Sequence, residues 1–188
     1  MGLFDKLLGK ESKVTESIST APPTKQYIKL DLEKPLTLDL VKGMRSLDLN
    51  KPDVLASSLF LIDTSGSMDD RVKKVRKIEA VREVMAMIPN ANKICFSSNV
   101  HITDSIPEPN GGTNMARAFE YVATMKGSNP KKIVIVSDGE PDNKALAFNS
   151  ALKLHIPVDV IYIGAEGDRG EAFMKELASK TGGKQLTM

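Results

Sequence analysis

The stretch Leu59-Phe60-Leu61-Ile62-Asp63-Thr64-Ser65-Gly66-Ser67 contains most of what decides the fold of this 188-residue chain. Its first four residues form a continuous apolar run, which is typical of a strand buried on both faces of a parallel sheet. Polar residues begin abruptly at Asp63, as expected where a strand ends in a loop. Ile133-Val134-Ile135-Val136 repeats the pattern with four β-branched residues, and the polar loop 137–142 follows it. We therefore predict two buried strands that each end in a polar loop.

The sequence around these two strands alternates between strand and helix patterns. Further strands are predicted at Lys93–Phe96, Val100–Thr103, Val158–Ile163 and Gln185–Met188. Apolar residues at spacings of three and four predict helices at Arg71–Ile88, Met115–Met125, Asn143–Leu154 and Glu171–Lys180. Because such alternation is typical of α/β proteins, we predict a doubly wound, mostly parallel sheet flanked by helices.

The residues before this domain have a different composition. We predict a flexible tail at 1–26 that begins with a short amphipathic helix. Residues 1–10 either pack locally or make a peripheral contact with a partner or a membrane surface. Leucines alternate with polar residues across 27–53, which predicts a small β extension packed on the main domain at 54–188.

Charge and composition exclude several classes of protein. Lys and Arg number 26 against 24 Asp and Glu, a net charge of +2, so we predict no nucleic-acid partner. The single cysteine, Cys95, excludes an internal disulfide, and two histidines leave little room for a His-rich metal site. No apolar run approaches the roughly 20 residues of a membrane span, and Met1–Lys10 lacks the features of a secretion signal. We therefore expect a cytoplasmic protein.

Side chains that carry oxygen are concentrated in three polar loops at or beside the predicted strand ends. In open α/β sheets, ligands bind outside the carboxyl ends of the strands. Two carboxylates and three hydroxyls stand out in these loops: Asp63, Ser65, Ser67, Thr113 and Asp138. Hard divalent cations take oxygen ligands. Two carboxylates neutralise such an ion, and neutral hydroxyls hold it while it stays electrophilic. The sequence therefore predicts a divalent-metal site that can accept an anionic ligand.

These residues also resemble a known family. Asp63-x-Ser65-x-Ser67, Thr113 after a Gly-Gly pair and Asp138 in Ser-Asp-Gly resemble, in this order, the metal-ion-dependent adhesion site of von Willebrand factor type A domains. The resemblance covers roughly residues 54–188. It implies one divalent ion, usually Mg²⁺ with Mn²⁺ or Ca²⁺ as alternatives. The serines and the threonine would touch this ion, and the aspartates would bind it directly or through water. It also implies a protein partner whose Glu or Asp carboxylate completes the coordination, and the lack of a disulfide resembles intracellular members.

A second resemblance concerns the segment before the main domain. Residues 37–43 (TLDLVKG) and 46–49 (SLDL) resemble the opening β-segment of tellurium-resistance stress proteins. This similarity implies a bacterial or phage stress-response setting.

Alternative functions differ in what the predicted metal would do. We expect a binding module and not an enzyme, because the sequence has no Gly-x-Ser-x-Gly elbow, no phosphate-binding Gly-x-x-x-x-Gly-Lys loop and no His-Glu-x-x-His pair. A metal-dependent hydrolase or phosphatase at the same loops, or a structural assembly protein whose metal braces them, are the alternatives. Asp63-Thr64-Ser65-Gly66 also resembles the aspartic-protease loop, but a long helix directly after the motif does not fit that mostly β fold. Basic residues between Arg71 and Arg82 form either a solvated helix face or a surface that steers an acidic partner.

Overall fold

The computed structural model describes residues 35–72, 74–126, 130–164, 166–167 and 169–187. For 35–40 it describes the backbone alone. The predicted tail at 1–26 and the first part of the predicted β extension, 27–34, lie outside the described residues.

The strands form one main sheet and one small hairpin. Their bounds are β1 Ser58–Asp63, β2 Arg71–Val72, β3 Val75–Arg76, β4 Asn92–Phe96, β5 Val100–His101, β6 Lys132–Ser137, β7 Val158–Tyr162 and β8 Gln185–Thr187. The main sheet has the order β5-β4-β1-β6-β7-β8, and β2 pairs with β3 alone. All neighbours in the main sheet are parallel except β5, which is antiparallel to β4. The predicted mostly parallel sheet is therefore confirmed.

Helices cover both faces of this sheet. Their bounds are α1 Pro35–Ser46, α2 Pro52–Ala56, α3 Lys77–Ala86, α4 Met115–Thr124, α5 Lys144–Lys153 and α6 Arg169–Thr181. Helices α4, α5 and α6 pack on one face, and α1 and α3 pack on the other. None of the helices in the described ranges is both long and apolar enough to cross a lipid bilayer.

The central strand β1 contributes to the core on both faces. Leu59 and Leu61 lie in the cluster beneath α4, α5 and α6, whereas Phe60 and Ile62 lie in the cluster beneath α1 and α3. All four are buried, and complete burial of such a side chain stabilises a fold by about 1.5–3 kcal/mol. The neighbouring strand β6 alternates in the same way. Both strands are therefore rigid supports for the polar loops that follow them.

The predicted β extension is wrong where the structure describes it, because Pro35–Ser46 is the helix α1. Proline is favoured at the start of a helix, where its missing N–H has no partner to lose, so Pro35 begins this helix and does not interrupt a strand. Met44 and Leu47, spaced three apart, are both buried in the cluster that includes α3. A left-handed residue, Asp48 (φ 62°), follows the helix end. The segment therefore packs on the sheet as a helix.

The predicted helix at Arg71–Ile88 begins later than expected. Its first residues form the β2–β3 hairpin, with Lys74 in the left-handed region (φ 69°), and α3 starts only at Lys77. Val72 and Val75 pack against the core from the hairpin, so their spacing suited either structure. The later start places Lys77 beside the polar loop after β1.

Candidate metal site

The site lies at the carboxyl ends of the strands, where the strand order changes direction at β1. From β1 the chain crosses to β4 and β5 on one side, and then to β6, β7 and β8 on the other. A crevice at such a switch point is the usual ligand site of an open α/β sheet. Asp63 is the last residue of β1, and Asp138 directly follows the paired strand β6. Strand pairing therefore brings together two carboxylates that are far apart in the sequence.

Asp63 is a fully buried carboxylate held by neutral donors. Its Oδ1 accepts a hydrogen bond from the backbone N–H of Ser65 at 2.8 Å, and its Oδ2 accepts one from Ser137 Oγ at 2.5 Å. Burial outweighs these bonds and raises the pKa of Asp63 to about 6. Sequence patterns did not identify Ser137 as a residue that positions Asp63. A buried carboxylate whose charged form is disfavoured is a group that a cation would stabilise.

Two serine hydroxyls connect the Asp63 loop to Asp138. Ser67 Oγ donates to Asp138 Oδ1 at 2.8 Å and lies 3.2 Å from Ser65 Oγ. Ser65 is buried, whereas Ser67, in the 3₁₀ turn Gly66–Asp69, is exposed. Four of the five predicted ligands therefore form one cluster that reaches solvent at Ser67.

The loop that carries Thr113 is joined to the Asp63 loop through the backbone. Gly66 N donates to Gly111 O at 3.0 Å, and Asn110 N donates to Thr64 O at 2.9 Å. Thr113 itself is buried. The structure therefore places the fifth predicted ligand on a loop fixed beside the other four.

Asp142 fixes the position of Thr113 from the loop after β6. Its Oδ1 accepts a hydrogen bond from Thr113 N at 2.9 Å, and its own N–H donates to Thr113 O at 3.0 Å. A Cβ at Gly112 would lie 2.9 Å from Asp142 Oδ2, so a larger residue there would displace the Asp142 carboxylate. Asp142 is thus a second positioning residue, beside Ser137.

Lys77 is a buried cation inside the site, with only 8% of its surface exposed. Its Nζ donates to Asp138 Oδ2 at 2.6 Å and to Ser67 O at 3.3 Å. In the sequence, Lys77 is one of several basic residues of the predicted helix. Its position in the helix distinguishes it from the other basic residues. Lys77 is four residues before Val81 and therefore lies on the apolar side of α3, where a lysine is unusual.

Two arginines near the site are paired with acidic residues. Arg76 contacts Asp69 and Glu79, and Arg82 bonds Glu79 at 2.9 Å. Both arginines also bond Glu108, at 2.9 and 2.8 Å, which connects α3 to the loop before Thr113. These two guanidinium groups brace the site loops. This role is neither the solvated helix face nor the surface for an acidic partner that the sequence predicted for the basic residues.

The donor chemistry of the site fits a hard divalent cation. No three His, Cys, Asp or Glu residues within the described ranges are grouped to hold a metal. A metal at this edge would therefore depend on hydroxyl oxygens beside Asp63 and Asp138. Oxygen donors suit ions such as Mg²⁺, Mn²⁺ and Ca²⁺ and do not suit ions that prefer sulfur or nitrogen.

Sequence comparison identifies the family. Residues 82–185, more than half of the chain, match the von Willebrand factor type A domain family, so the chain belongs to it. Domains of this family commonly mediate metal-dependent protein interactions. The match includes Thr113 and Asp138 but begins after the Asp63-x-Ser65-x-Ser67 motif. No curated protein matches the chain.

Solved structures with a similar fold are distant in sequence. A von Willebrand factor type A protein from Catenulispora acidiphila is 15% identical, with 70% of this chain and 38% of that chain covered and a TM-score of 0.55. An aerotolerance-related membrane protein from Bacteroides fragilis is 16% identical (70% and 90% covered, TM-score 0.48). The manganese-loaded TRAP protein of Plasmodium vivax is 18% identical (65% and 62% covered, TM-score 0.47). The similarity to the Catenulispora acidiphila protein supports the fold and nothing further.

Proposed function

We propose that this chain is a divalent-cation-dependent protein-binding module that recognises an acidic side chain of a partner. The observation that carries the proposal is the hydrogen-bonded oxygen cluster of Asp63, Ser65, Ser67 and Asp138 at the switch point of the sheet. Four of the five side chains of the expected motif meet there, although Asp138 is far from the other three in sequence.

Each residue of the cluster has a distinct role in this proposal. Asp63 and Asp138 supply negative charge, and Ser65, Ser67 and Thr113 supply neutral oxygens. A bound cation, which we propose to be Mg²⁺ with Mn²⁺ or Ca²⁺ as substitutes, supplies an electrophilic position for a partner's Glu or Asp carboxylate. Rigid strands and the bonds described above hold these oxygens in place before any ligand arrives, which lowers the entropic cost of binding.

Calorimetric titration of Mn²⁺ or Mg²⁺ into metal-free protein tests the site. We expect one ion per chain for the wild type and at least roughly tenfold weaker binding for Ser65→Ala/Thr113→Ala, because two neutral ligands are lost. The matched control is Ser57→Ala/Thr124→Ala, which removes a serine and a threonine hydroxyl that bond only nearby carbonyls. Equal binding by the wild type and both double variants would defeat the proposal.

Recognition of a partner is tested separately, by retention of proteins on the immobilised chain. Partners retained in Mg²⁺ should be released by EDTA and should not bind Ser65→Ala/Thr113→Ala. If the cation only braces the loops, EDTA should lower the Tm and leave partner binding unchanged.

We propose further that the site binds and does not catalyse. Asp63 and Asp138 are both occupied by donors of the chain, so neither is placed as an uncommitted general base. Incubation of the Mg²⁺-loaded protein with a phosphate ester should give no turnover. Turnover that disappears in Asp138→Ala would favour the hydrolase or phosphatase alternative.

The cellular setting is also a proposal. The single buried cysteine, Cys95, agrees with a reducing, cytoplasmic environment. The tellurium-resistance setting loses its support, because the residues that resembled a β-segment, 37–43 and 46, lie within α1. We therefore propose a cytoplasmic binding module without a named stress pathway.

A further inference from the structure

Lys77 makes the two carboxylates of the site unequal. Asp63 is bonded by Ser65 and Ser137, which are neutral donors. Asp138 is bonded by the Ser67 hydroxyl on one oxygen and, at 2.6 Å, by the Lys77 ammonium group on the other. The chain thus already provides a cation for one of its two predicted anionic ligands.

The position of Lys77 is fixed by more than this one contact. It is the first residue of α3, its side chain is 10% exposed, and its backbone N–H donates to Asp70 O at 3.0 Å. Nζ also donates to Ser67 O and lies 3.7 Å from Asp70 Oδ2 at the solvent side. The ammonium group is therefore held against the site and is not a surface charge that swings away.

The buried charged groups of the site are Asp63, Asp138 and Lys77, whereas the Asp70 side chain is 72% exposed and its charge is screened by water. Asp63, Asp138 and Lys77 together carry one formal negative charge, whereas the two aspartates alone would carry two. A divalent cation held there leaves one net positive charge, which a single carboxylate neutralises. Charges interact strongly when they are shielded from water, so a buried ammonium group 2.6 Å from a predicted ligand of the ion opposes binding of a cation.

We propose that Lys77 weakens binding of the bare cation and thereby couples its binding to that of a carboxylate ligand. This inference rests on the proposed function and names a residue that sets the ligand preference of the same site. Lys77 acts through its charge beside Asp138 and is not a metal ligand.

The experiment compares Mn²⁺ titrations of the wild type with three variants at position 77. Lys77→Met removes the charge and keeps the length of the side chain, Lys77→Gln keeps an N–H donor without charge, and Lys77→Arg keeps the charge. We expect Lys77→Met and Lys77→Gln to bind Mn²⁺ roughly tenfold tighter than the wild type and Lys77→Arg to bind within about threefold of it. The control is Lys131→Met, which removes an exposed lysine just before β6, at the opposite end of the strand from Asp138.

Acetate serves as the carboxylate probe in the same titrations. At constant ionic strength, and after correction for Mn²⁺–acetate association, replacing chloride with acetate should raise the Mn²⁺ affinity of the wild type more than that of Lys77→Met. Reciprocal coupling of this kind is required if the ion and the carboxylate bind together.

Thermal melting separates charge from packing. Lys77→Met should have a lower Tm than the wild type without metal, because Asp138 loses its cation, and saturating Mn²⁺ should raise its Tm by more than it raises that of the wild type. A lysine that only packs would lower the Tm equally with and without Mn²⁺, which would overturn the inference.

The remaining outcomes distinguish this inference from the proposed function. If the wild type binds Mn²⁺ and Lys77→Met and Lys77→Gln bind it no more tightly, the role of Lys77 is wrong and the metal site stands. If Lys77→Gln matches the wild type while Lys77→Met binds tighter, hydrogen bonding and not charge is responsible, and the inference fails. If neither the wild type nor any variant binds Mn²⁺, both proposals fall.

Discussion

At each end of its strands the main sheet has a buried aspartate paired with a lysine, which is buried at the carboxyl end and half-buried at the amino end. At the carboxyl end, Asp138 Oδ2 lies 2.6 Å from Lys77 Nζ. At the amino end, Asp159 Oδ2 lies 2.7 Å from Lys132 Nζ, and both residues are near the starts of β7 and β6. The two aspartates are almost equally buried, with side chains 1% and 3% exposed.

One difference lies in the lysine contact itself, because Lys77 donates a hydrogen bond to Asp138 Oδ2, whereas Asp159 Oδ2 has no hydrogen-bond partner among the described residues. The other difference lies in the partner of the second carboxylate oxygen. Asp159 Oδ1 accepts the backbone N–H of Lys184 at 2.8 Å, which the start of β8 holds in place. Asp138 Oδ1 accepts a hydrogen bond from the hydroxyl of Ser67, which is an exposed residue. The amino-end pair is therefore closed by backbone, whereas the carboxyl-end pair is closed by a hydroxyl that reaches solvent, where a ligand can meet it while Lys77 stays in place. We expect changes at the amino end to affect stability and changes at the carboxyl end to affect ligand binding.

The largest effect is expected at the carboxyl end, for Asp63→Asn. The pKa of Asp63 is raised from 3.8 to about 6, so the folded protein holds this proton more tightly than the unfolded chain does. Stability from the protonated carboxyl is present below pH 4 and is lost as the pH rises through 6. In EDTA, the stability of Asp63→Asn relative to the wild type should therefore rise by about 2 kcal/mol between pH 4.5 and 7.5. The variant should also bind Mn²⁺ far more weakly.

Urea unfolding at pH 4.5 and at pH 7.5 measures the difference in stability between Asp63→Asn and the wild type. Asp104→Asn is the control, because it neutralises an exposed aspartate. A stability difference between Asp63→Asn and the wild type that is the same at both pH values would contradict the raised pKa.

The next effect is expected at the amino end, for Asp159→Ala. The change leaves Lys132 half-buried without its partner and removes the acceptor of Lys184 N–H, which should cost about 2 kcal/mol of folding free energy. Mn²⁺ affinity should not change. A loss of Mn²⁺ binding free energy as large as the loss of folding free energy in Asp159→Ala would contradict the distinction between the two ends of the sheet.

A smaller effect is expected for Asp142→Ala, which sharpens the comparison within the carboxyl end. Thr113 loses the hydrogen bond that its N–H makes at 2.9 Å, at a cost of about 1 kcal/mol. Mn²⁺ affinity should fall several-fold, because the Thr113 hydroxyl is less well positioned. Urea unfolding measures the change in folding free energy, and Mn²⁺ calorimetry on the same sample measures the change in affinity. An unchanged Mn²⁺ affinity would show that Asp142 has no positioning role.

The smallest effect is expected for Glu108→Gln. Hydrogen bonds from Arg82 and Arg76 lower the pKa of Glu108, but its side chain is 67% exposed and surface ion pairs contribute little. The Tm should fall slightly at low ionic strength, and the loss should disappear in high salt as screening increases. A large decrease in Tm that persists in high salt would mean that this ion-pair network is essential to the site loops.

The sheet and the positions of the site residues could be predicted from the sequence, because both depend on strong local signals. Apolar runs such as Leu59–Ile62 identify two-faced strands, and residues that directly follow such strands must lie at the same end of a parallel sheet. That argument places Asp63 and Asp138 together without any structural information. That these side chains bind a metal remains a prediction.

Other features required three-dimensional information. The leucines of 36–40 alternate as in a strand, yet the helix α1 forms there. Pro35 suits a helix start, and the local pattern is weak enough for packing against α3 to determine the structure. The β2–β3 hairpin could not be predicted either, because the spacing of Val72 and Val75 suits both a hairpin and a helix. Lys77 became part of the site only through the late start of α3, which no local pattern indicated.

The hydrogen bonds of the site join residues that are very distant in the chain: 71 residues separate Ser67 from Asp138, and 74 separate Asp63 from Ser137. Both bonds depend on the pairing of β1 with β6, and such long-range pairing closes large loops and forms slowly. We predict that the loops of the site close only after these strands have paired, later than the folding transition state. A cation that binds only the completed site should slow unfolding and leave the refolding rate unchanged, so that chelation shortens the lifetime of the native state without changing how quickly it forms.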